Sequence, residues 1–227
     1  MNRKKRIAIY GGTFDPVHLG HLEIARKISE FFVIDKLWFV PAQVAPHKLS
    51  SEVTPAVHRY AMLVLATQND DRLLVSTFEL EAPDRRYTVD TLAYFKSQLG
   101  ESSEIFFVMG ADSWSEITTW RNWEQLLSMV NNIVVTRPGY DVDLSHITAA
   151  QSVRVVDLRG SETLQTSEDQ TEVSQVFITD AVMIDISATD IRATARKGNF
   201  DSLTGMVPQA VAEYIRSYGL YRDSNEA

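Results

Sequence analysis

Short apolar runs rich in β-branched and aromatic residues recur along the chain: "RIAIY" (6–10), "KLWFVPA" (36–42), "EIFFVMG" (104–110) and "NIVVT" (132–136). Between them lie longer stretches whose apolar residues repeat at helical spacing, such as Leu22, Ala25, Ile28 and Phe32 in "HLEIARKISEFF". Further helices are expected over about 55–69, 89–99 and 123–130, with a short strand near Leu73 to Val75. Near-continuous apolar strands separated by amphipathic helices suit a parallel sheet. Each crossover needs a helix-length connection, and each such helix buries its apolar stripe on a sheet face. The expected class is α/β, a doubly wound parallel sheet with right-handed crossovers.

The later chain is less uniform. "RPGY" (137–140) reads as a turn, and 141–180 is the least regular stretch; within it "GSETLQTSEDQTEVSQ" (160–175) is polar and acidic enough for a mobile loop. Order is expected to resume with "AVMIDI" (181–186), a helix opening near Thr189, and a last helix from about Pro208 to Tyr218 with the proline in its first turn. No repeat or linker divides the 227 residues, so the chain reads as one domain over 1–222 with a short tail, 223–227.

Composition excludes several chemistries. There is no cysteine, which removes disulfides, thiolate metal sites and cysteine nucleophiles together and suits a reducing compartment. A net charge of −8 argues against non-specific nucleic-acid binding. The apolar segment behind "MNRKKR" lasts about four residues, too short for a signal peptide, and no run approaches the roughly 18 apolar residues of a membrane span. The expectation is a cytoplasmic protein with neither nucleic-acid nor membrane partners, its oligomeric state open to a homo-oligomer.

The stretch "YGGTFDPVHLGHLEIA" (10–25) concentrates turn chemistry and imidazole in one place. If the first strand ends at Tyr10, Gly11 and Gly12 turn the chain at the C-terminal edge of the sheet, where ligands bind in open α/β folds. Asp15-Pro16 then looks like a helix start, a carboxylate cap followed by a proline in the first turn. His18 and His21, three apart, share a helix face near free N–H groups and the positive end of the dipole, an array of donors for phosphate oxygens. The pair could instead bind a metal, but a third ligand is not obvious nearby and a helix N-terminus repels cations. A capped helix with two exposed histidines is the plain alternative. Neither the G-x-x-x-x-G-K-[ST] loop nor the G-x-G-x-x-G fingerprint is present.

"GGTFDPVHLGH" resembles the G-G-[ST]-F-D-P-x-H-x-G-H signature of the nucleotidyltransferase superfamily, and "ISATDIR" (186–192) resembles its second signature, I-S-S-T-x-I-R. Further matches are "PHK" (46–48), "YTVDTL" (87–92), "GAD" (110–112), Trp120, "RPGY" and "VPQAVAEYI" closing into "GLY". Together they resemble the bacterial nicotinate-nucleotide adenylyltransferase family nearly end to end. The resemblance implies a Rossmann-like sheet of the nucleotidyltransferase type with C-terminal helices. It also implies ATP and nicotinate mononucleotide as substrates, in a step of NAD biosynthesis. The mononucleotide's 5′-phosphate attacks the α-phosphorus of ATP and expels pyrophosphate, without a covalent enzyme intermediate.

On that resemblance, His18 and His21 with the N–H groups of Gly11, Gly12, Thr13 and Phe14 hold the α- and β-phosphates, and His21 is the foremost candidate for transition-state stabilisation. Ser187, Thr189 and Arg192 form a second cradle for the β- and γ-phosphates; Ala188 stands where the family usually has serine. Lys48, after His47, neutralises a phosphate, and the backbone N–H groups of Tyr87 and Thr88 hold the nicotinate carboxylate. Trp120 stacks on the pyridine ring while Trp123 packs inward. Asp112 binds a ribose hydroxyl or helps position a metal, with Mg²⁺ carried mainly by the ATP phosphates. The alternatives are a surface lysine, core tryptophans and simply capped helices. At the level of function they are another acceptor for the same fold, nicotinamide mononucleotide or phosphopantetheine, or a nucleotide-binding regulator without turnover.

Overall fold

The computed structural model describes residues 3–43, 53–81, 87–136, 141–147, 154–161, 173–180 and 186–222. Among these residues seven strands form one sheet in the order β3-β2-β1-β4-β5-β7-β6, every neighbouring pair parallel. They are β1 (Lys5–Gly12), β2 (Lys36–Pro41), β3 (Leu73–Val75), β4 (Ser103–Gly110), β5 (Asn131–Val135), β6 (Arg154–Asp157) and β7 (Gln175–Thr179). The helices are α1 (Leu19–Phe31), α2 (Ala56–Thr67), α3 (Thr88–Leu99), α4 (Ala111–Ser115), α5 (Trp123–Met129), α6 (Ala188–Arg196) and α7 (Gln209–Ser217). Among the described residues no helix is long and apolar enough to cross a membrane.

The strands supply alternate residues to two apolar layers, as a pleat with both faces covered requires. On one face Ala8, Tyr10, Phe106, Val108 and Phe177 meet Ala25 and Ile28 of α1, Met62 and Leu63 of α2, Ile191 of α6 and Val211 of α7. On the other, Ile7, Ile9, Phe107, Met109 and Ile178 meet Leu92 and Phe95 of α3, Trp114 of α4 and Leu126 of α5. From β1 the chain winds outward to β2, whereas from β4 it winds the opposite way to β5, so the strand order reverses between adjacent β1 and β4. Their C-terminal ends flank a crevice at this switch point.

The segment 141–180 differs from its reading as irregular. It contributes β6 at the sheet edge and β7 inside it, where Val176 to Thr179 are buried. The apolar "VFIT" of β7 was masked by the acidic residues before it. Pro208 caps α7 instead of occupying its first turn. The "RPGY" turn, most of the polar 160–175 loop, the first five residues of "AVMIDI" and the tail fall outside the described residues.

Candidate active site

The first correction concerns the glycines. The strand does not end at Tyr10: Gly11 pairs with Val40, Gly12 pairs with Pro41, and the Gly12 carbonyl accepts from the Ala42 N–H at 2.9 Å. Their missing side chains make room for rings, since a Cβ on Gly12 would meet the Phe14 ring at 2.8 Å and one on Gly11 the Phe107 ring at 3.3 Å. The turn comes at Thr13 and Phe14, where Phe14 adopts φ 50°. That left-handed backbone is uncommon outside glycine, and the buried ring anchors it, packing edge-on against Tyr10, Phe39 and His21.

Asp15-Pro16 is not the helix start either. Helix α1 begins at Leu19 with His18 as its cap. Asp15 is buried, and its carboxylate accepts from the Tyr221 hydroxyl at 2.8 Å and the Thr54 N–H at 3.2 Å. With both oxygens engaged by distant residues, the capping position passes to His18.

The His18 N–H donates to Nδ1 of His21 at 3.2 Å, and the two imidazoles stack with centroids 3.6 Å apart. Because Nδ1 accepts, neutral His21 carries its proton on Nε2, which keeps a donor free for a ligand. Nδ1 of His18 is buried without a hydrogen-bond partner among the described residues. Burial lowers the His18 pKa to about 4; burial, and then the charge of His18, hold His21 well below its usual range. Both rings are therefore neutral at neutral pH, and an anion placed beside them would favour their protonated forms.

The second signature meets the first directly. Ser187 caps α6, its Oγ accepting the Asp190 N–H at 3.1 Å and donating to the Asp190 carboxylate at 2.6 Å. Arg192 donates through Nη2 to the exposed Thr189 hydroxyl at 3.2 Å and through Nη1 to the Asp15 carbonyl at 2.7 Å. The Leu19 N–H adds a bond to the Met206 carbonyl at 2.9 Å. Residues 177 positions apart thus form one edge of the crevice. The Ser187 hydroxyl is committed to its cap, as the capped-helix alternative expects, and Asp190 sets a carboxylate in the same turn, which the sequence reading did not anticipate.

Across the switch point, Asp112 is exposed in the first turn of α4, directly after β4. Half-buried Trp120 closes the short 3-10 turn Ile117–Thr119, its ring 6.4 Å from that of Phe107, which itself abuts Gly11. Arg121 lays its guanidinium 4.7 Å over the ring of Tyr87, the cap of α3, where Thr88 is the first helical residue. Trp120, Tyr87 and Thr88 are thereby brought to one region. Trp123 is half-buried against the second apolar layer and the His146 ring. Lys48, with His47, lies outside the described residues.

Sequence reasoning missed Arg59, Tyr221 and the joining role of Asp15. Arg59 was visible in principle: it shares the buried face of α2 with Met62 and Leu63, a charge on an apolar stripe. Among the described residues no three His, Asp or Glu side chains gather as a metal cage. The arrangement offers imidazole, guanidinium and main-chain N–H donors along the edge of a crevice, with an aromatic face across it.

The sequence family described as cytidylyltransferase-like matches residues 9–194. The probable nicotinate-nucleotide adenylyltransferase of Thermoanaerobacter sp. (strain X514) is 36% identical over 226 residues, which is 100% of this chain and 99% of that one. The corresponding protein of Thermus thermophilus is 36% identical over 217 residues, covering 96% of this chain and 100% of its own. Among solved structures, the Plasmodium falciparum nicotinic acid mononucleotide adenylyltransferase complexed with NaAD superposes with a TM-score of 0.70 at 22% identity, covering 96% of this chain and 97% of that chain. At that identity the likeness concerns the fold.

Proposed function

The chain belongs to the cytidylyltransferase-like family, and from that premise we propose that it transfers the adenylyl group of ATP to nicotinate mononucleotide, releasing pyrophosphate and giving nicotinate adenine dinucleotide. The observation that carries the reading is the Arg192 bond to the Asp15 carbonyl, which joins the two anion-binding segments into one edge. Relatives of nearly equal length, named for this reaction, support the choice of acceptor.

The chemistry asks the protein to align two phosphates and to neutralise charge as the bond to pyrophosphate breaks. Neutral His18 and His21 donate to the α- and β-phosphates, joined by N–H groups of the Gly11 to Phe14 turn. His21 acts through the Nε2 proton that its Nδ1 bond leaves free. Arg192, Thr189 and the N-terminus of α6 take the β- and γ-phosphates, with Ser187 shaping that terminus through its cap. Lys48 adds a charge on the mononucleotide side. Trp120 offers the pyridine a stacking face, and the Tyr87 and Thr88 N–H groups receive its carboxylate. Replacing that carboxylate by an amide loses charge-assisted hydrogen bonds. Asp112 holds a ribose hydroxyl. Mg²⁺ enters with ATP, since it keeps much of its water and leans on substrate phosphates.

The test is pyrophosphate release with ATP and each mononucleotide in parallel. Turnover with the nicotinate form, well above that with the amide, is expected. A preference for the amide would overturn the acceptor, and silence with both would overturn the activity.

A further inference from the structure

Arg59 is only 1% exposed, yet among the described residues its guanidinium donates solely to main-chain carbonyls. Nε reaches Thr54 at 2.9 Å, Nη1 reaches Thr13 at 2.7 Å, and Nη2 reaches Ala42 at 2.6 Å and Gln43 at 3.2 Å. These carbonyls come from three places: the turn after β1, the exit from β2 and the approach to α2. No carboxylate among the described residues is within ion-pair distance of it. Burial lowers its pKa, with Asp15, Tyr221 and Glu79 acting the other way, and an arginine in such a site remains charged at neutral pH. Burying a cation is unfavourable unless its donors are all used. An apolar side chain would fill the same space without that penalty.

The peptide unit explains what the donors accomplish. It is planar and trans, so its C=O and N–H point in opposite directions. The guanidinium draws the Thr13 carbonyl toward itself, and the N–H of the same unit, that of Phe14, is turned away from it. The Phe14 N–H finds no acceptor among the described residues. The Ala42 carbonyl is held in the same way, which turns the Gln43 N–H from the guanidinium.

We propose that Arg59 is a positioning residue for adenylyl transfer: it fixes the Thr13–Phe14 peptide plane so that the Phe14 N–H meets a phosphate oxygen of ATP, and it ties the exit from β2 and the approach to α2 to that turn. The inference rests on the adenylyl-transfer reading. Arg59→Lys tests it, because one ammonium keeps the charge but cannot fork across three loops.

The Lys variant is expected to melt cooperatively with an unchanged far-UV spectrum and to lose about 100-fold in kcat, as displaced reacting groups do, with a much smaller change in KM for ATP. By NMR, a non-hydrolysable ATP analogue shifts the Phe14 amide proton downfield in the unaltered protein, and Arg59→Lys abolishes the shift. If the variant fails to fold, exchange of the Phe14 amide in the unaltered protein still decides, slowing when the analogue binds. A Lys variant with unaltered kcat and shift, or a Phe14 amide indifferent to the analogue, overturns the proposal. An unaltered protein that shows the Phe14 shift, with the shift lost in Arg59→Lys, but that releases no pyrophosphate with either mononucleotide overturns the function and leaves only the part of Arg59 in orienting the Phe14 N–H.

Discussion

The two ends of β1 and their immediate surroundings treat charge in opposite ways. At the N-terminal ends of the strands, charged groups face one another: Arg3 pairs with Asp35 at 2.7 Å, and Arg6 pairs with Glu104 at 2.9 Å while also donating to the Phe32 carbonyl. Asn131 extends this ladder, donating to Glu104 and accepting from Gln175. Beyond the C-terminal end of β1, the cationic and imidazole groups are held by neutral partners. Arg59 has four carbonyls, Arg192 a carbonyl and a hydroxyl, and His21 a main-chain N–H. A cation fixed by neutral groups, as Arg192 is, keeps its charge uncompensated, whereas paired ions have already spent theirs on each other. On the proposed function, the difference accounts for an anion site in a protein with a net charge of −8.

The largest effect that would sharpen this contrast is expected from His21→Ala, which removes the free Nε2 donor and should lower kcat by about 100-fold or more while leaving the melting transition intact. A variant with near-normal turnover would take His21 out of the mechanism.

Acid comes next. The folded His18 has a pKa of about 4 against an ordinary 6.5, so between those values the unfolded chain binds more protons. The associated stability is complete above about pH 6.5 and is lost as the pH falls toward 4, amounting to roughly 3 kcal/mol. Urea melts at about pH 7 and about pH 4.5 measure it, and His18→Asn should flatten the dependence within that window.

Tyr221→Phe deletes a hydrogen bond to a buried carboxylate that also stands beside Thr54. A loss of about 2 kcal/mol is expected in denaturant melts, together with a fall in kcat, since Asp15 also anchors Arg192 through its carbonyl. The smallest effect belongs to the opposite edge. Glu104→Gln should cost less than about 1 kcal/mol, because the pair is partly solvated, and should leave turnover unchanged. A large kinetic effect there would break the division between the two edges.

The alternation of apolar runs with helical stripes determined β1 to β5, helices α1, α2, α3 and α5 between them and the parallel class, because strand and helix periods are local and written in consecutive residues. The motif residues of the two signatures were equally legible. Tertiary structure decided where those residues point. The glycines serve the Phe14 and Phe107 rings inside a continuing strand, Asp15 joins three distant segments, and β7 lies within the sheet despite its acidic approach. Arg59 could be noticed on an apolar face, but its four carbonyl partners belong to three separate loops. Sequence records local preference, whereas bonds spanning 177 and 206 positions exist only once the sheet has closed the distance between them.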